Sequence, residues 1–84
     1  MTSTSISHDV RALLSEIAGA ETVASIRDDD LIFQNRVVDS LHLIELVERL
    51  QLRFQIEIDA DDLVPENFES LAAISGFVSR RCAG

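Results

Sequence analysis

The segment Asp39-Ser40-Leu41 places a hydroxyl nucleophile beside a carboxylate where an amphipathic helix is predicted to begin. A helix N-terminus presents unpaired backbone N–H groups and the positive end of the helix dipole, so a phosphate ester on Ser40 would be stabilised there. Serine and aspartate are also ordinary helix-capping residues, and position alone favours a cap. The segment therefore predicts either a structural cap or an attachment point for a phosphate group.

His42 does not extend this pair into a hydrolytic site. Residues two apart on a helix point about 200 degrees apart, so the imidazole cannot easily meet the Ser40 hydroxyl. No other group of residues in the sequence combines a nucleophile, a base and an acid, and we expect no enzyme activity from the chain itself.

Two acidic clusters and one cysteine are the other candidates for chemistry. Asp59, Asp61 and Asp62 lack the central glycine and late glutamate of a calcium loop, and the run 28–30 has no spaced partners. We expect ordinary solvated loop acids and no metal site. The single cysteine, Cys82, cannot form an internal disulfide and indicates an incidental thiol in the tail.

Apolar residues at spacings of three and four predict three main helices around these candidates. The first covers about residues 6–18, capped by Ser5 or Ser7 and ended by Gly19; its apolar face is Ile6, Val10, Leu13, Leu14 and Ile17. The second covers residues 40–54, with Leu43, Leu46, Val47, Leu50 and Phe54 toward the core. The last covers residues 70–81, capped by Asn67 or Ser70, with Leu71, Ile74, Phe77 and Val78 buried.

The connections predict how these helices pack. Residues 19–39 form a long ordered loop, because apolar residues along it can contact the core; they are Val23, Ile26, Leu31, Ile32, Phe33, Val37 and Val38. Residues 55–68 form an extended connector with a short helical turn. We expect one all-α domain over residues 1–84, a small three-to-four-helix bundle with a long first loop.

Composition excludes several classes of function. The chain carries 15 acidic residues against 7 arginines and a net charge of -8, so it repels nucleic acid and is steered toward basic protein surfaces. No apolar run approaches the roughly 20 residues that span a bilayer, and the N-terminal residues lack the pattern of a secretory signal. We expect a cytoplasmic protein.

The chain resembles the acyl carrier protein family, including its peptidyl and D-alanyl carrier relatives. The matching residues are Asp39-Ser40-Leu41, Ile44-Glu45-Leu46-Val47, Phe54, Leu71 and Ile74. The resemblance implies a fold of acyl-carrier type and a 4'-phosphopantetheine arm, transferred from coenzyme A to Ser40 by a magnesium-dependent enzyme. It also implies that Asp39 is the acidic neighbour of the attachment site, and that the thiol of the arm carries cargo as a thioester.

The helix after Ser40 is predicted to dock partner enzymes. The helical wheel places Leu41, Glu45, Glu48 and Leu52 opposite the core side, and the resemblance assigns Leu41 and Glu45 to docking. The partners implied are a phosphopantetheinyl transferase, an acyl- or aminoacyl-adenylating ligase and a downstream transferase or synthase. The carrier is expected to be a monomer.

Two departures from the family refine this prediction. The second helix is less acidic than in fatty-acid carriers because of His42, Arg49, Gln51, Leu52 and Arg53. This favours a dedicated ligase, in secondary metabolism or lipid or peptide modification, over bulk fatty-acid synthesis. In the turn before Asp39, Asn35 is expected to take the place of a family glycine. The alternative function is an interaction module that kept the fold and binds a partner without carrying an arm.

Overall fold

The computed structural model describes residues 3–34 and 38–83 of the chain. Throughout these residues it is all-α, which confirms the predicted class, and no strand occurs within them. The helices are α1 (Ser3–Ala18), α2 (Ala20–Ala24), α3 (Ser40–Phe54), α4 (Pro65–Phe68) and α5 (Leu71–Ala83), with a 3-10 turn at Ala60–Asp62. No helix in the described ranges has the length and apolar character needed to cross a bilayer.

The core lies between one apolar face from each long helix. α1 contacts both α3 and α5, and the predicted faces meet there. The buried residues of the three helices are Ile6, Val10 and Leu14 from α1, Leu46 and Leu50 from α3, and Leu71, Ile74, Phe77 and Val78 from α5. The 3.6-residue period therefore identified the buried side of each long helix correctly.

The start of the first helix and the first connection differ from the sequence prediction. α1 begins at Ser3, so Ser5 and Ser7 lie inside the helix and neither is its N-cap. Within the predicted loop, residues 20–24 form α2, separated from α1 by Gly19 at φ 102°. Five residues are too few for periodicity to reveal a helix. The turn assigned to Asn35 lies outside the described residues.

The second connection agrees with the prediction in outline. Residues 56–59 belong to no helix, Asp59 has an extended backbone, and the short helical segments follow them. Of the two candidate caps for α5, Ser70 is the one used, because its Oγ accepts from the backbone N–H of Ala73 at 3.1 Å. Asn67 instead donates from Nδ2 to the carbonyl of Asp62 at 2.8 Å and holds the connector together.

Candidate functional site

The first turn of α3 is capped by Asp39 and not by Ser40. Oδ1 of Asp39 accepts from the backbone N–H of His42 at 2.9 Å, and Nδ1 of His42 accepts from the backbone N–H of Asp39 at 3.4 Å. This reciprocal pair is a capping box in which a histidine occupies the usual glutamate position. His42 therefore turns back toward Asp39, so its imidazole serves the cap.

Ser40 is the first residue of α3, and its side chain is exposed. Because Asp39 fills the capping role, the Ser40 hydroxyl is not needed to satisfy the helix end. Among the described contacts, Ser40 Oγ makes no hydrogen bond. The structure thus places a free hydroxyl on the N-terminus of a 15-residue helix, where a phosphodiester would be stabilised by the backbone N–H groups and the helix dipole.

Asp39 is ionised at neutral pH. The backbone N–H of His42 donates to its carboxylate and, with the imidazole nearby, holds the pKa of Asp39 below its ordinary value. A carboxylate that is stabilised in the charged form is a poor proton acceptor at neutral pH. Asp39 therefore acts as a cap and a fixed negative charge beside Ser40.

The segment that precedes Ser40 is held against the core. Val38 is buried, and its N–H donates to the carbonyl of Ile32 at 3.3 Å. The N–H of Ile32 in turn donates to the carbonyl of Glu69 at 2.9 Å, and Ile32 is itself buried. These contacts connect the loop to the region between α4 and α5, so the backbone on both sides of residues 35–37 is anchored.

Arg11 of α1 holds the start of the same loop. Its Nη1 donates to the carbonyl of Val23 and its Nη2 to Oδ1 of Asp28, both at 2.8 Å. The carbonyl of Asp28 accepts from the N–H of Ala72 at 2.8 Å. One arginine and one aspartate thus join α1, α2 and α5 and anchor the first part of the connection that leads to α3.

The acidic clusters serve local structure in the same way. Asp30 Oδ2 accepts from the backbone N–H of Arg27 at 2.8 Å. At the 3-10 turn, Oδ2 of Asp62 accepts from the backbone N–H of Asp59 at 2.9 Å, and Asp62 also pairs with Arg81. In residues 3–34 and 38–83, no three potential ligands lie together in a way that could hold a metal ion.

The outward face of α3 carries the four residues predicted to dock partners. Leu41 is 70% exposed and Leu52 is 81% exposed, and Glu45 and Glu48 lie exposed between them. Ile44, which is 56% exposed, borders this face and was not among the predicted docking residues. On the helical wheel Ile44 lies about 60 degrees from Leu41, so its position at the edge of the docking face could have been inferred from the sequence.

Both arginines of α3 direct their guanidinium groups toward α1 and not across the outward face. Arg49 pairs with Glu16 of α1 at 2.6 Å, and Arg53 pairs with Asp9 of α1 at 3.1 Å. Gln51 turns to the other side, where its Oε1 accepts from the N–H of Ile58 at 2.9 Å. These residues therefore reduce the negative charge of the outward face less than the sequence suggests, because their polar groups bind other residues of the same domain.

An apolar cavity of about 370 Å³ opens beside the first turn of α3. Its lining residues come from the loop before α3, from α3 itself and from the region of α4; they are Leu31, Phe33, Gln34, Leu43, Leu63, Val64, Pro65, Phe68 and Glu69. The sequence predicted Leu31 and Phe33 as core contacts, but each is 38% exposed. They line this cavity, which no local pattern could reveal because it is formed by three separate segments.

Residues 8–78 match the model of a protein family described as a phosphopantetheine attachment site. This match covers α2, α3 and α4 completely and all but the ends of α1 and α5. A search among curated proteins found no match.

Proposed function

We propose, since this chain belongs to the phosphopantetheine attachment site family, that Ser40 is the residue to which its arm is attached. The chain is a carrier domain, and its cofactor is covalently bound 4'-phosphopantetheine. The observation that carries the assignment to Ser40 is the division of roles at the start of α3. Asp39 caps the helix, and the neighbouring hydroxyl stays exposed and free.

The geometry also fits the group that must be attached. A transferase needs access to the hydroxyl and room for a bulky substrate, and an exposed side chain at the end of a helix offers both. The Ser40 hydroxyl would lose its proton to the transferase, and its oxygen would form a phosphodiester with the pantetheine phosphate of coenzyme A while adenosine 3',5'-bisphosphate leaves. The negative phosphodiester would then lie at the positive end of the α3 dipole.

The bound arm supplies a terminal thiol that holds the cargo as a thioester. The domain itself contributes the attachment point and a surface that partner enzymes recognise. Activation of the cargo and its transfer belong to those partners. This division of labour fits the surroundings of Ser40, where Asp39 is held ionised and His42 is engaged in the cap.

The exposed face of α3 is the proposed docking face, defined as Leu41, Glu45, Glu48 and Leu52. Two exposed leucines with two carboxylates between them suit a partner surface that combines basic side chains with apolar pockets. The partners proposed to use it are the phosphopantetheinyl transferase, an acyl- or aminoacyl-adenylating ligase and a downstream transferase or synthase. We place this exchange in the cytoplasm and take the carrier to act as a monomer.

The cargo is proposed to be an apolar acyl group in a secondary-metabolic or lipid- or peptide-modifying pathway. The cavity beside α3 supports an acyl group over a polar aminoacyl group, because Leu43 in its lining lies only one helical turn from Ser40. The support for a dedicated ligase now comes from Leu52, an apolar residue on the docking face. Arg49 and Arg53 do not support a dedicated ligase, since each forms an ion pair with an acidic residue of α1.

Intact-mass spectrometry tests the attachment site. Incubation with a broad-specificity phosphopantetheinyl transferase, Mg²⁺ and coenzyme A should add the mass of one arm to the wild-type protein. Ser40→Ala should abolish the gain, and Ser25→Ala, which removes another exposed serine hydroxyl, should retain it. A gain that survives Ser40→Ala would refute the assignment.

Protein purified from its own cells distinguishes a carrier from an interaction module. A carrier should show the mass of the arm, with or without a cargo whose mass identifies its class. Native protein without any arm, in cells whose other carriers are modified, would favour the interaction module.

A further inference from the structure

Arg49 forms an ion pair with one carboxylate, Glu16, and has a second acid, Glu45, four residues before it on α3. Its Nη1 donates to Oε1 of Glu16 on α1 at 2.6 Å. Glu45 lies four residues before Arg49 on α3 and is exposed. Among the described residues, neither Arg49 nor any other cation forms an ion pair with Glu45. The guanidinium is thus directed toward α1 and away from the docking face.

The alternative pair would be favourable if Glu16 were absent. A glutamate four residues before an arginine on a helix is the stabilising order of the i, i+4 pair, because the two side chains lie on adjacent turns and complement the helix dipole. Glu16 and Glu45 therefore compete for the guanidinium of Arg49. The carboxylate that does not bind Arg49 stays available to contact a partner protein.

We propose that Glu16 is a positioning residue for partner binding. By holding Arg49 against α1, it keeps the Glu45 carboxylate available to basic side chains of the partner. The inference rests on the docking face of the proposed function. It assigns to α1, a helix outside that face, control over the charge that the face presents.

The second arginine of α3 provides a matched comparison. Arg53 pairs with Asp9 of α1 at 3.1 Å, so it too connects α1 with α3. The residue four positions before it is Arg49 and not an acid. Releasing Arg53 by Asp9→Asn therefore removes one negative charge and one ion pair from α1 but creates no competitor for a docking carboxylate.

The size of the effect follows from exposure. The Arg49 and Glu16 side chains are 41% and 60% exposed, so solvent screens this ion pair and the effect of releasing Arg49 on partner binding is modest. Neutralising one exposed carboxylate in a protein interface is expected to weaken binding by about two- to fivefold, most clearly at low ionic strength.

The test is the steady-state kinetics of arm transfer at low ionic strength, with a broad-specificity phosphopantetheinyl transferase, coenzyme A and the intact chain as substrate. Glu16→Gln should raise KM about two- to fivefold and leave kcat unchanged, because the start of α3 is intact. Arg49→Gln should leave KM at or below the wild-type value. Glu16→Gln combined with Arg49→Gln should restore the KM of Arg49→Gln alone, and Asp9→Asn should behave as wild type.

Three results would overturn the proposal. A wild-type KM for Glu16→Gln would show that Arg49 does not compete for Glu45. An equal rise in KM for Glu16→Gln and Arg49→Gln would indicate a merely structural ion pair, and an equal rise for Glu16→Gln and Asp9→Asn would indicate net charge alone. In each of these cases the arm still forms on Ser40, whereas failure of the proposed function would appear as no arm on Ser40 of the wild-type protein.

Discussion

Leu46 and Leu52 occupy opposite sides of α3, and their truncation to alanine should separate stability from partner recognition. Leu46 is fully buried between the long helices, whereas Leu52 is 81% exposed. Both residues are leucines in the same helix, so the two substitutions delete identical atoms. Any difference between the variants therefore reports the environment of the side chain.

The expected magnitudes follow from burial. Leu46→Ala leaves a cavity in a closed core and should lower the free energy of unfolding by about 3 kcal/mol. Only about a fifth of the Leu52 side chain is covered, so its truncation should cost roughly 0.3 to 0.6 kcal/mol, and the higher helix propensity of alanine offsets part of this. For a domain of this size, these values correspond to losses in Tm of roughly 12–24 °C for Leu46→Ala and less than about 5 °C for Leu52→Ala.

Thermal and urea unfolding followed by circular dichroism measures the stability difference. If Leu46→Ala is too unstable to study, Leu46→Met conserves volume and should cost less than about 1.5 kcal/mol. The kinetics of arm transfer measures recognition, where Leu52→Ala should raise KM with an unchanged kcat. A large loss of stability in Leu52→Ala would refute the exposed position of this side chain, and an unchanged KM for arm transfer would remove it from the surface that the transferase contacts.

Two further predictions concern backbone and cap. Asp39→Ala should lower Tm at neutral pH because it removes the cap. The pKa of Asp39 is depressed in the folded protein. The stabilisation that the Asp39 carboxylate provides is therefore present above its unfolded pKa and is lost as the pH falls through its folded pKa. The Tm difference from wild type should therefore shrink in acid, and a constant difference down to about pH 2 would contradict the assigned role; Asp39→Asn, which keeps a capping oxygen, is the control. Gly19→Ala should destabilise the fold by about 1–3 kcal/mol because φ is 102° there, although a Cβ would have space. Gly76 lies inside α5, where an added Cβ would make only an ordinary contact with Arg80 at 3.6 Å. Gly76→Ala should therefore leave the free energy of unfolding unchanged or raise it by up to about 1 kcal/mol. Equal losses of stability for the two glycine variants in urea unfolding would disprove the backbone argument.

The main helices could be read from the sequence because their signals are local. The bounds of α3 agree with the prediction at both ends, since Asp39 starts the helix and the left-handed Gln55 follows its last residue. The wheel also separated buried Leu46 and Leu50 from exposed Leu41 and Leu52. These features depend on side chains three or four residues apart, and such spacing is visible in one dimension.

The short helix α2 and the exact start of α1 could not be read in the same way. A five-residue helix has little more than one turn, so it shows no repeat, and its stability comes from contacts such as Arg11 with the carbonyl of Val23. The capping serines expected at positions 5 and 7 were local guesses, and the helix continues past both of them.

The sequence by itself determined that the protein is helical and acidic, and it placed a serine at the start of the strongest helix, because composition and periodicity act over a few residues. Only the tertiary structure decided that Asp39 caps this helix and leaves Ser40 free, that Arg49 pairs with Glu16 rather than Glu45, and that three segments enclose an apolar cavity. A side chain with several possible partners binds the one that the fold brings close to it. Which partner is close depends on how α1, α3 and the loop pack, and this packing cannot be inferred from short-range spacing in the sequence.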